Sequence, residues 1–250
     1  MAAVDTQPER FWTLEGCNNF RDLGGHRTHT GATLRWRRLL RSDSLASASP
    51  NDRVRLGELG LVAVIDLRCA HEVALSGHYR EEGVAYHHLP FGDLLGLDAD
   101  WEAWGDPAYV AGRYFELCFS ARDSISEAFA ILTDPCAYPA VVHCSIGKDR
   151  TGVLVALIMR ALGVPVDAIV EEYALSQAGA ARFVDQLRAR IRTEDQQDLD
   201  PYLPALLAAE PETMRRFLRL VSDEFGSVTG YLRHLGIASS VQHLRTALLD

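Results

Sequence analysis

The fold is decided by one stretch of the sequence, Val142-His143-Cys144-Ser145-Ile146-Gly147-Lys148-Asp149-Arg150-Thr151-Gly152. An apolar run over 139–142 leads into it, a short polar loop follows, and the apolar stretch 153–162 is long enough for a helix. This order predicts a strand, a loop and a helix. Backbone N–H groups at such a helix start converge on one point, where the positive end of the helix dipole adds to them. The loop is therefore expected to bind an anion.

Two side chains of this loop suit chemistry on a bound phosphate. Cys144 would lie in the field of the helix start, which favours its thiolate, and a thiolate is a strong nucleophile. Arg150 follows six positions later, where its planar guanidinium can hold two oxygens of one phosphate. A Walker loop needs a glycine five positions before its Gly-Lys pair and a serine or threonine directly after it. Here these positions are Val142 and Asp149, so a Walker loop is excluded. A buried structural cysteine is the alternative for Cys144 alone, and the surrounding loop disfavours it.

The full motif resembles the signature of the cysteine-dependent protein tyrosine phosphatases. The similar branch holds bacterial tyrosine and lipid phosphatases, including those secreted by mycobacteria. Further stretches resemble the same family, so that the resemblance spans roughly residues 15–248: Asn19-Phe20-Arg21-Asp22-Leu23-Gly24-Gly25, Arg41-Ser42-Asp43, Asp66-Leu67-Arg68 with Glu72, and Gly230-Tyr231-Leu232. It implies an α/β fold with a central, mostly parallel sheet flanked by helices, in a single domain over 1–250. It also implies hydrolysis of phosphomonoesters through a phosphocysteine intermediate.

The resemblance implies a role for each residue of the loop. Cys144 would be the nucleophile, and Thr151 would hydrogen-bond the thiolate as it departs. Phosphate oxygens would be bound by the guanidinium of Arg150 and by the backbone N–H groups of Ser145, Ile146, Gly147, Lys148, Asp149 and Arg150. His143 would support the loop by hydrogen bonds rather than act as a base. No metal ion and no cofactor are expected, since Arg150, Lys148 and the amides supply the positive charge.

A carboxylic acid must protonate the leaving oxygen and then take a proton from water. Asp149 lies inside the loop, which guarantees that it is close. Asp93 is the other candidate, because in the family a loop that begins Pro-Phe-x-Asp lies towards the active site. Many of these phosphatases supply the acid from a Trp-Pro-Asp motif, which this sequence lacks. Both aspartates therefore stay open as the general acid.

Lys148 is the single lysine among 25 basic residues, all others being arginine. This usage indicates that a compact ammonium is needed at that position, close to a substrate oxygen or to Asp149. An extra cation beside the loop would also favour substrates with a second phosphate. The expected substrates are phosphotyrosine proteins, with phosphoserine, phosphothreonine and phosphoinositides as further classes. A phosphoinositide-preferring lipid phosphatase is the leading variant.

Charged residues outside the loop are expected to be structural. Arg21, Asp22 and Asp43 predict an internal salt-bridge network, with a place beside the active site as the alternative. Asp66 and Arg68 predict a charged pair that braces a strand end. Residues 176–225 predict helical additions, which either form a lid over the site or add an ordinary helical layer to the sheet.

Composition limits the remaining functions. A net charge of −9 argues against nucleic acid as a partner, and no apolar run is long enough for insertion into a membrane. Residues 1–12 are expected to be a loose leader without signal-peptide features, so a cytoplasmic location is expected, with non-classical export still open. The five cysteines show no metal-binding spacing and no disulfide framework. The sequence does not give the oligomeric state.

Two other function classes are alternatives to the phosphatase. A phosphate-binding pseudophosphatase is disfavoured, because the cysteine, the arginine and a loop acid are all present. A sulfur-transfer or arsenate-reducing enzyme is the other class. Arsenate reduction needs a relay of thiols, and the loop contains no second cysteine beside Cys144.

Overall fold

The computed structural model describes residues 9–92, 94, 100, 102–179 and 203–250. Its named strands are β1 (Arg21–Asp22), β2 (Leu39–Ser42), β3 (Ala63–Asp66), β4 (Ala85–His88) and β5 (Ala140–His143). They form a sheet in the order β1-β2-β5-β3-β4, in which β1 pairs antiparallel with β2 and the other neighbours are parallel. The predicted central, mostly parallel sheet is confirmed.

Alternation along the central strands separates two apolar cores. Leu40, Val64 and Val141 face a smaller cluster on one side of the sheet. Their neighbours Ile65 and Val142 face the larger cluster on the other side. Successive side chains of a strand point to opposite faces, so strands covered on both faces are apolar throughout. The sheet is therefore a buried layer with helices on each side.

The helices with described bounds are α1 (Pro50–Leu59), α2 (Ala70–Ser76), α3 (Pro107–Ser120), α4 (Arg122–Thr133), α5 (Asp149–Leu162), α6 (Val166–Ala174), α7 (Leu203–Leu207), α8 (Pro211–Phe225), α9 (Val228–His234) and α10 (Ser240–Leu248). Helix α5 directly follows the loop after β5, and almost all of its residues are buried. It packs against α3, α6, α9 and α10. The helix that follows this loop is thus held on several sides by the larger core. No helix among the described residues has the length and hydropathy that crossing a membrane requires.

Three helix ends are stabilised by capping residues. Ser49 caps α1, because its side chain accepts a hydrogen bond from the N–H of Asp52, whose carboxylate accepts one from the N–H of Ser49. Gly60 follows α1 in the left-handed conformation with φ of 75°. Gly163 ends α5 in the same way, with φ of 92°.

The register of the parallel strands builds one edge for the site. Ser42, Asp66 and His143 are the last residues of β2, β3 and β5, and they are aligned across the sheet. The carboxyl ends of parallel strands are where such sheets bind ligands. The loops that follow these three strands therefore meet at the same place.

The segment 176–225 splits into two parts. Helix α8 packs on α3 and α6 through the fully buried Met214, Phe217 and Val221, so it is an ordinary helical layer. Helix α7 contributes Leu203 and Leu207, which pack against Ile146 of the loop between β5 and α5. Residues 180–202 lie outside the described part of the chain, as do 1–8 of the expected leader. The possibility that residues 180–202 form part of a lid over the site therefore stays a prediction.

Candidate active site

The loop between β5 and α5 closes around the sulfur of Cys144. The backbone N–H of Gly147 donates to the Sγ of Cys144 at 3.3 Å. Residue Cys144 is 2% exposed, and it lines a pocket of about 220 Å³ at the carboxyl edge of the sheet. The predicted strand, loop and helix are therefore in place, with the thiol at the start of α5.

Donors behind the loop take up its carbonyl oxygens. The side-chain amide of Asn19 donates to the carbonyl oxygens of Ile146 at 3.0 Å and Gly147 at 3.1 Å. The N–H of Ser44 donates to the carbonyl oxygen of Ser145 at 3.1 Å. Arg41 donates to the same oxygen of Gly147. These donors satisfy the carbonyl oxygens of the loop, while the N–H of Gly147 is directed to the sulfur of Cys144.

A buried group of charges holds those donors. Glu172 accepts from Arg21 at 2.7 Å and from Arg41 at 2.6 Å, and the three side chains are at most 1% exposed. Burial alone would raise the pKa of Glu172, but the charges of Arg21 and Arg41 outweigh it and lower the pKa to about 2. We call Arg21, Arg41 and Glu172 the rear network. It leaves one net positive charge behind the loop that follows β5.

The predicted internal network is confirmed for Arg21 and corrected for the two aspartates. Asp43 accepts from the backbone N–H groups of Asn18 at 2.9 Å and Asn19 at 3.0 Å rather than from an arginine. Asp22 accepts from the N–H of Gly24 at 2.7 Å and so fixes a turn. Both carboxylates hold backbone in place because the surrounding chain offers N–H groups within reach.

Gly147 allows the loop to pass close to β2. Its φ is 72°, and a Cβ built on it would lie 2.2 Å from the carbonyl oxygen of Ser42. A side chain at this position would collide with backbone and would also need an unfavourable backbone conformation. The glycine of the motif is therefore required by packing.

Arg150 lies at the front of the loop, paired with Glu72 of α2. Its Nη1 donates to Oε2 of Glu72 at 2.5 Å and its Nη2 donates to Oε1 at 2.8 Å. Burial would raise the pKa of Glu72, but the hydrogen bonds and charge of Arg150 outweigh it and hold the pKa far below its usual range. Glu72 also accepts from the hydroxyl of Ser145. The pair, which we call the front pair, fixes the guanidinium beside Cys144.

Sequence reasoning assigned no role to Glu72. The family-like pattern Asp66-Leu67-Arg68 with Glu72 was the signal that could have found it. Asp66 and Arg68 themselves form the expected structural pair, with Nη2 of Arg68 2.6 Å from Oδ2 of Asp66. The charged pattern thus divides into a structural pair and a residue of the site.

Asp149 is held by one hydrogen bond and one ion pair, both on the same carboxylate oxygen. The hydroxyl of Tyr114 donates to Oδ1, and Nζ of Lys148 lies 3.3 Å from the same atom. Lys148 is 1% exposed, and its Nζ also donates to the carbonyl oxygen of Ala208 at 3.0 Å. The sequence predicted Lys148 close to a substrate oxygen or to Asp149, and the structure places it beside Asp149.

His143 and Thr151 are both fully buried next to the loop. Nδ1 of His143 is 3.2 Å from the carbonyl oxygen of Cys144, which supports the expected bracing role. Burial lowers the pKa of His143, although Asp66 with its carboxylate 3.7 Å away opposes this. Within the described chain the hydroxyl of Thr151 has no hydrogen-bond partner. It therefore remains available for the sulfur role that the resemblance implies.

The pocket is lined by His71, Glu72, Leu94, Cys144, Ser145, Ile146, Asp149 and Arg150. Asp93, the second candidate for the acid, lies outside the described residues, so its role stays a prediction. Among the residues with described positions, no cluster of three or more His, Cys, Asp or Glu side chains is arranged to hold a metal ion. Of the two candidate acids, the structure brings Asp149 to the pocket.

Comparison with known proteins agrees with this geometry. A profile described as "Tyrosine phosphatase family" matches residues 12–250. The chain belongs to this family. It is a cysteine-dependent phosphatase, and it hydrolyses phosphomonoesters through a phosphocysteine intermediate.

Relatives of known name support the same conclusion. The triple specificity protein phosphatase PtpB of Mycobacterium tuberculosis is 32% identical, over 94% of this chain and 98% of its own length. A candidate tyrosine-protein phosphatase of Cupriavidus necator is 30% identical, over 93% of this chain and 86% of its own length. The solved core of the PP-IP phosphatase Siw14 from S. cerevisiae covers 85% of this chain and 96% of its own. Its TM-score is 0.39 at 15% identity, too low to support any argument.

Proposed function

We propose that the protein is a protein-tyrosine phosphatase in which Cys144 is the nucleophile, Arg150 binds the phosphate and Asp149 is the general acid. The single observation that carries this assignment is the pocket in which these three side chains meet. Phosphoryl transfer depends mainly on position and on neutralised charge, and both are provided here.

In the first step, the sulfur of Cys144 attacks phosphorus in line with the leaving oxygen. The bond to that oxygen breaks, and Asp149 supplies the proton that the oxygen takes. The loop N–H groups and Arg150 bind the three equatorial oxygens. Nε of Arg150 has no acceptor within the described chain, so one edge of the guanidinium remains for phosphate while Glu72 holds the other two nitrogens.

In the second step, water attacks the phosphocysteine. Asp149, now ionised, takes a proton from the water, and the sulfur of Cys144 departs as a thiolate. The hydroxyl of Thr151, which has no partner among the described residues, is suited to donate to that thiolate. Inorganic phosphate leaves, and the enzyme returns to its first state.

The pocket lining favours phosphotyrosine over substrates with several phosphates. Leu94 and Ile146 are apolar walls that suit an aromatic ring. Arg150 is the only lysine or arginine among the described lining residues, because Lys148 is directed to Asp149 and Ala208. A second phosphate would therefore find little positive charge in this part of the site.

Phosphoinositides are the second candidate substrate. PtpB carries the name triple specificity phosphatase, and the Arabidopsis inositol diphosphatase DSP4 is 37% identical over 62 residues, 25% of this chain. We propose phosphoserine, phosphothreonine and phosphoinositide substrates as slower alternatives to phosphotyrosine.

The test is the rate of phosphate release without added metal ions, from a phosphotyrosine peptide, a matched phosphothreonine peptide and mono- and bisphosphorylated phosphoinositides. The control is Cys144→Ser, which keeps the shape of the loop but removes the thiolate. The proposal expects the phosphotyrosine peptide to be fastest and all release to be lost in the variant. Faster release from the lipids would move the enzyme to the second class. Release that survives in Cys144→Ser would refute the assigned nucleophile.

A further inference from the structure

Two buried tyrosines extend the site behind Asp149. The hydroxyl of Tyr114, on α3, donates to Oδ1 of Asp149. The hydroxyl of Tyr173, on α6, is 2.9 Å from that of Tyr114. The two residues are at most 1% exposed. A short chain of hydroxyl groups thus leads from the pocket into the core.

Nothing in the packing alone calls for a hydroxyl group at position 114. The ring of Tyr114 packs edge-on against Tyr173 and Phe217, contacts that phenylalanine would also make. A buried hydroxyl stabilises a protein only when it is hydrogen-bonded, and here one of its two partners is Asp149, a side chain of the pocket. The hydroxyl therefore has a task that involves Asp149.

Both contacts with the carboxylate of Asp149 are made at the same oxygen atom. Tyr114 and Lys148 both contact Oδ1, so the carboxylate is fixed from one side. Oδ2 has no hydrogen-bond partner within the described part of the chain. A carboxyl group that is held through one oxygen offers the other for proton transfer.

We propose that Tyr114 is a positioning residue, which holds Oδ1 of Asp149 so that Oδ2 gives and takes the proton in both steps of the reaction. The proposal rests on the proposed function, since it requires Asp149 to be the general acid. Tyr173 supports this role indirectly, because its hydroxyl holds the hydroxyl of Tyr114.

Tyr114 neither gives nor takes a proton in this reaction. In the first step the proton on Oδ2 passes to the leaving oxygen as the sulfur–phosphorus bond forms and the phosphorus–oxygen bond breaks. In the second step Oδ2 receives a proton from water as the new phosphorus–oxygen bond forms and sulfur departs. Tyr114 keeps its proton throughout, and burial together with the nearby Asp149 raises the pKa of its phenol well above the ordinary value.

The experiment compares two aryl phosphates that differ in how much they need an acid. Phenyl phosphate has a poor leaving group, whereas p-nitrophenyl phosphate has a good one. In Tyr114→Phe, we expect kcat to fall about 10- to 100-fold for phenyl phosphate and only about threefold for p-nitrophenyl phosphate, because misplacing the acid affects the poor leaving group most. The ratio of the two rates does not depend on the folded fraction, so a less stable variant still gives an answer.

Two further variants make the result specific. Tyr231→Phe is the matched control, because its buried hydroxyl donates to the carbonyl oxygen of Cys118 at 2.6 Å, away from Asp149. It should lose stability but keep the wild-type ratio of rates. In the Asp149→Asn background, Tyr114→Phe should cause no additional loss of kcat on phenyl phosphate.

Different results would contradict the positioning role, the assignment of Asp149 as the acid and the proposed function. Equal loss on both substrates in Tyr114→Phe, or a further loss in the Asp149→Asn background, would overturn the positioning role. If Asp149→Asn leaves the ratio of rates unchanged, the acid lies elsewhere and the positioning role falls with it. If the wild-type protein releases phosphate from neither aryl ester, the proposed function itself fails.

Discussion

The catalytic loop lies between two arginine–glutamate pairs of similar geometry and different access. Behind it, Arg41 and Glu172 are 2.6 Å apart with side chains 0% and 1% exposed. In front, Arg150 and Glu72 are 2.5 Å apart with side chains 10% and 21% exposed. The rear arginine also donates to the carbonyl oxygens of Gly147 and Lys148 and to the hydroxyl of Ser176, whereas the front arginine lines the pocket.

The difference separates structural support from catalysis. Each glutamate neutralises and orients its arginine, but only the front arginine can reach a ligand in the pocket. Loss of charge at the rear should therefore be seen mainly as lower stability, and loss at the front mainly as lower activity. The same substitution, Glu to Gln, can be made on both sides.

The largest effect is expected from Arg150→Lys. An ammonium keeps the charge but cannot bind two phosphate oxygens and Glu72 together. We expect kcat to fall about 10³-fold with little change in melting temperature. Steady-state kinetics on a phosphotyrosine peptide and a thermal melt measure the two effects. A fall of less than tenfold would contradict the assigned role of Arg150.

Glu172→Gln is expected to destabilise the fold by about 3 kcal/mol, because it leaves two buried arginines with less compensating charge. The measurement is denaturant unfolding, and kcat per folded molecule should fall less than in any variant of the front pair. Glu212→Gln is the matched control, since Glu212 pairs with Arg216 at 2.8 Å on the surface. It should leave the unfolding curve unchanged.

Glu72→Gln should show the opposite pattern. The amide keeps the shape of the side chain but no longer attracts the guanidinium of Arg150 as strongly. We expect kcat/KM to fall about tenfold, equal to about 1.4 kcal/mol, while the free energy of unfolding changes less than in Glu172→Gln. A variant with full activity and a large loss of stability would show that the front pair is also mainly structural.

The smallest expected effect is in the acid dependence of stability. The pKa of Glu172 is lowered from 4.5 to about 2 in the folded protein. Its stabilising contribution is therefore complete above about pH 4.5 and is lost as the pH falls towards 2. Between about pH 4.5 and about pH 3, both inside this range, the melting temperature of the wild type should fall more steeply than that of Glu172→Gln. Parallel curves would contradict the lowered pKa.

The sequence was sufficient to predict the loop and what surrounds it along the chain. The motif from His143 to Gly152 predicted the strand, the loop and helix α5, because local spacing determines all three. Asp66 and Arg68 were predicted as a structural pair, and they are two residues apart. These features depend on neighbours in the chain.

Long-range partners could not be predicted in this way. Glu172 is 131 residues from Arg41, and Glu72 is 78 residues from Arg150. Each pairing exists only after helices pack on the sheet, and a charged residue in a helix has no spacing that reveals its partner. Tyr114 could not be identified from the sequence for the same reason, because its ring packs in the core while its hydroxyl contacts Asp149.

The burial of Lys148 has a practical consequence for chemical labelling. Lys148 is the single lysine of the sequence, and it is 1% exposed. Acylating reagents attack an ε-amino group only when it is accessible and uncharged. In the folded protein this side chain should therefore resist such reagents, and it should become reactive when the chain opens at the catalytic loop. The rate of lysine acylation would then report, at one defined atom, how often the active site comes apart.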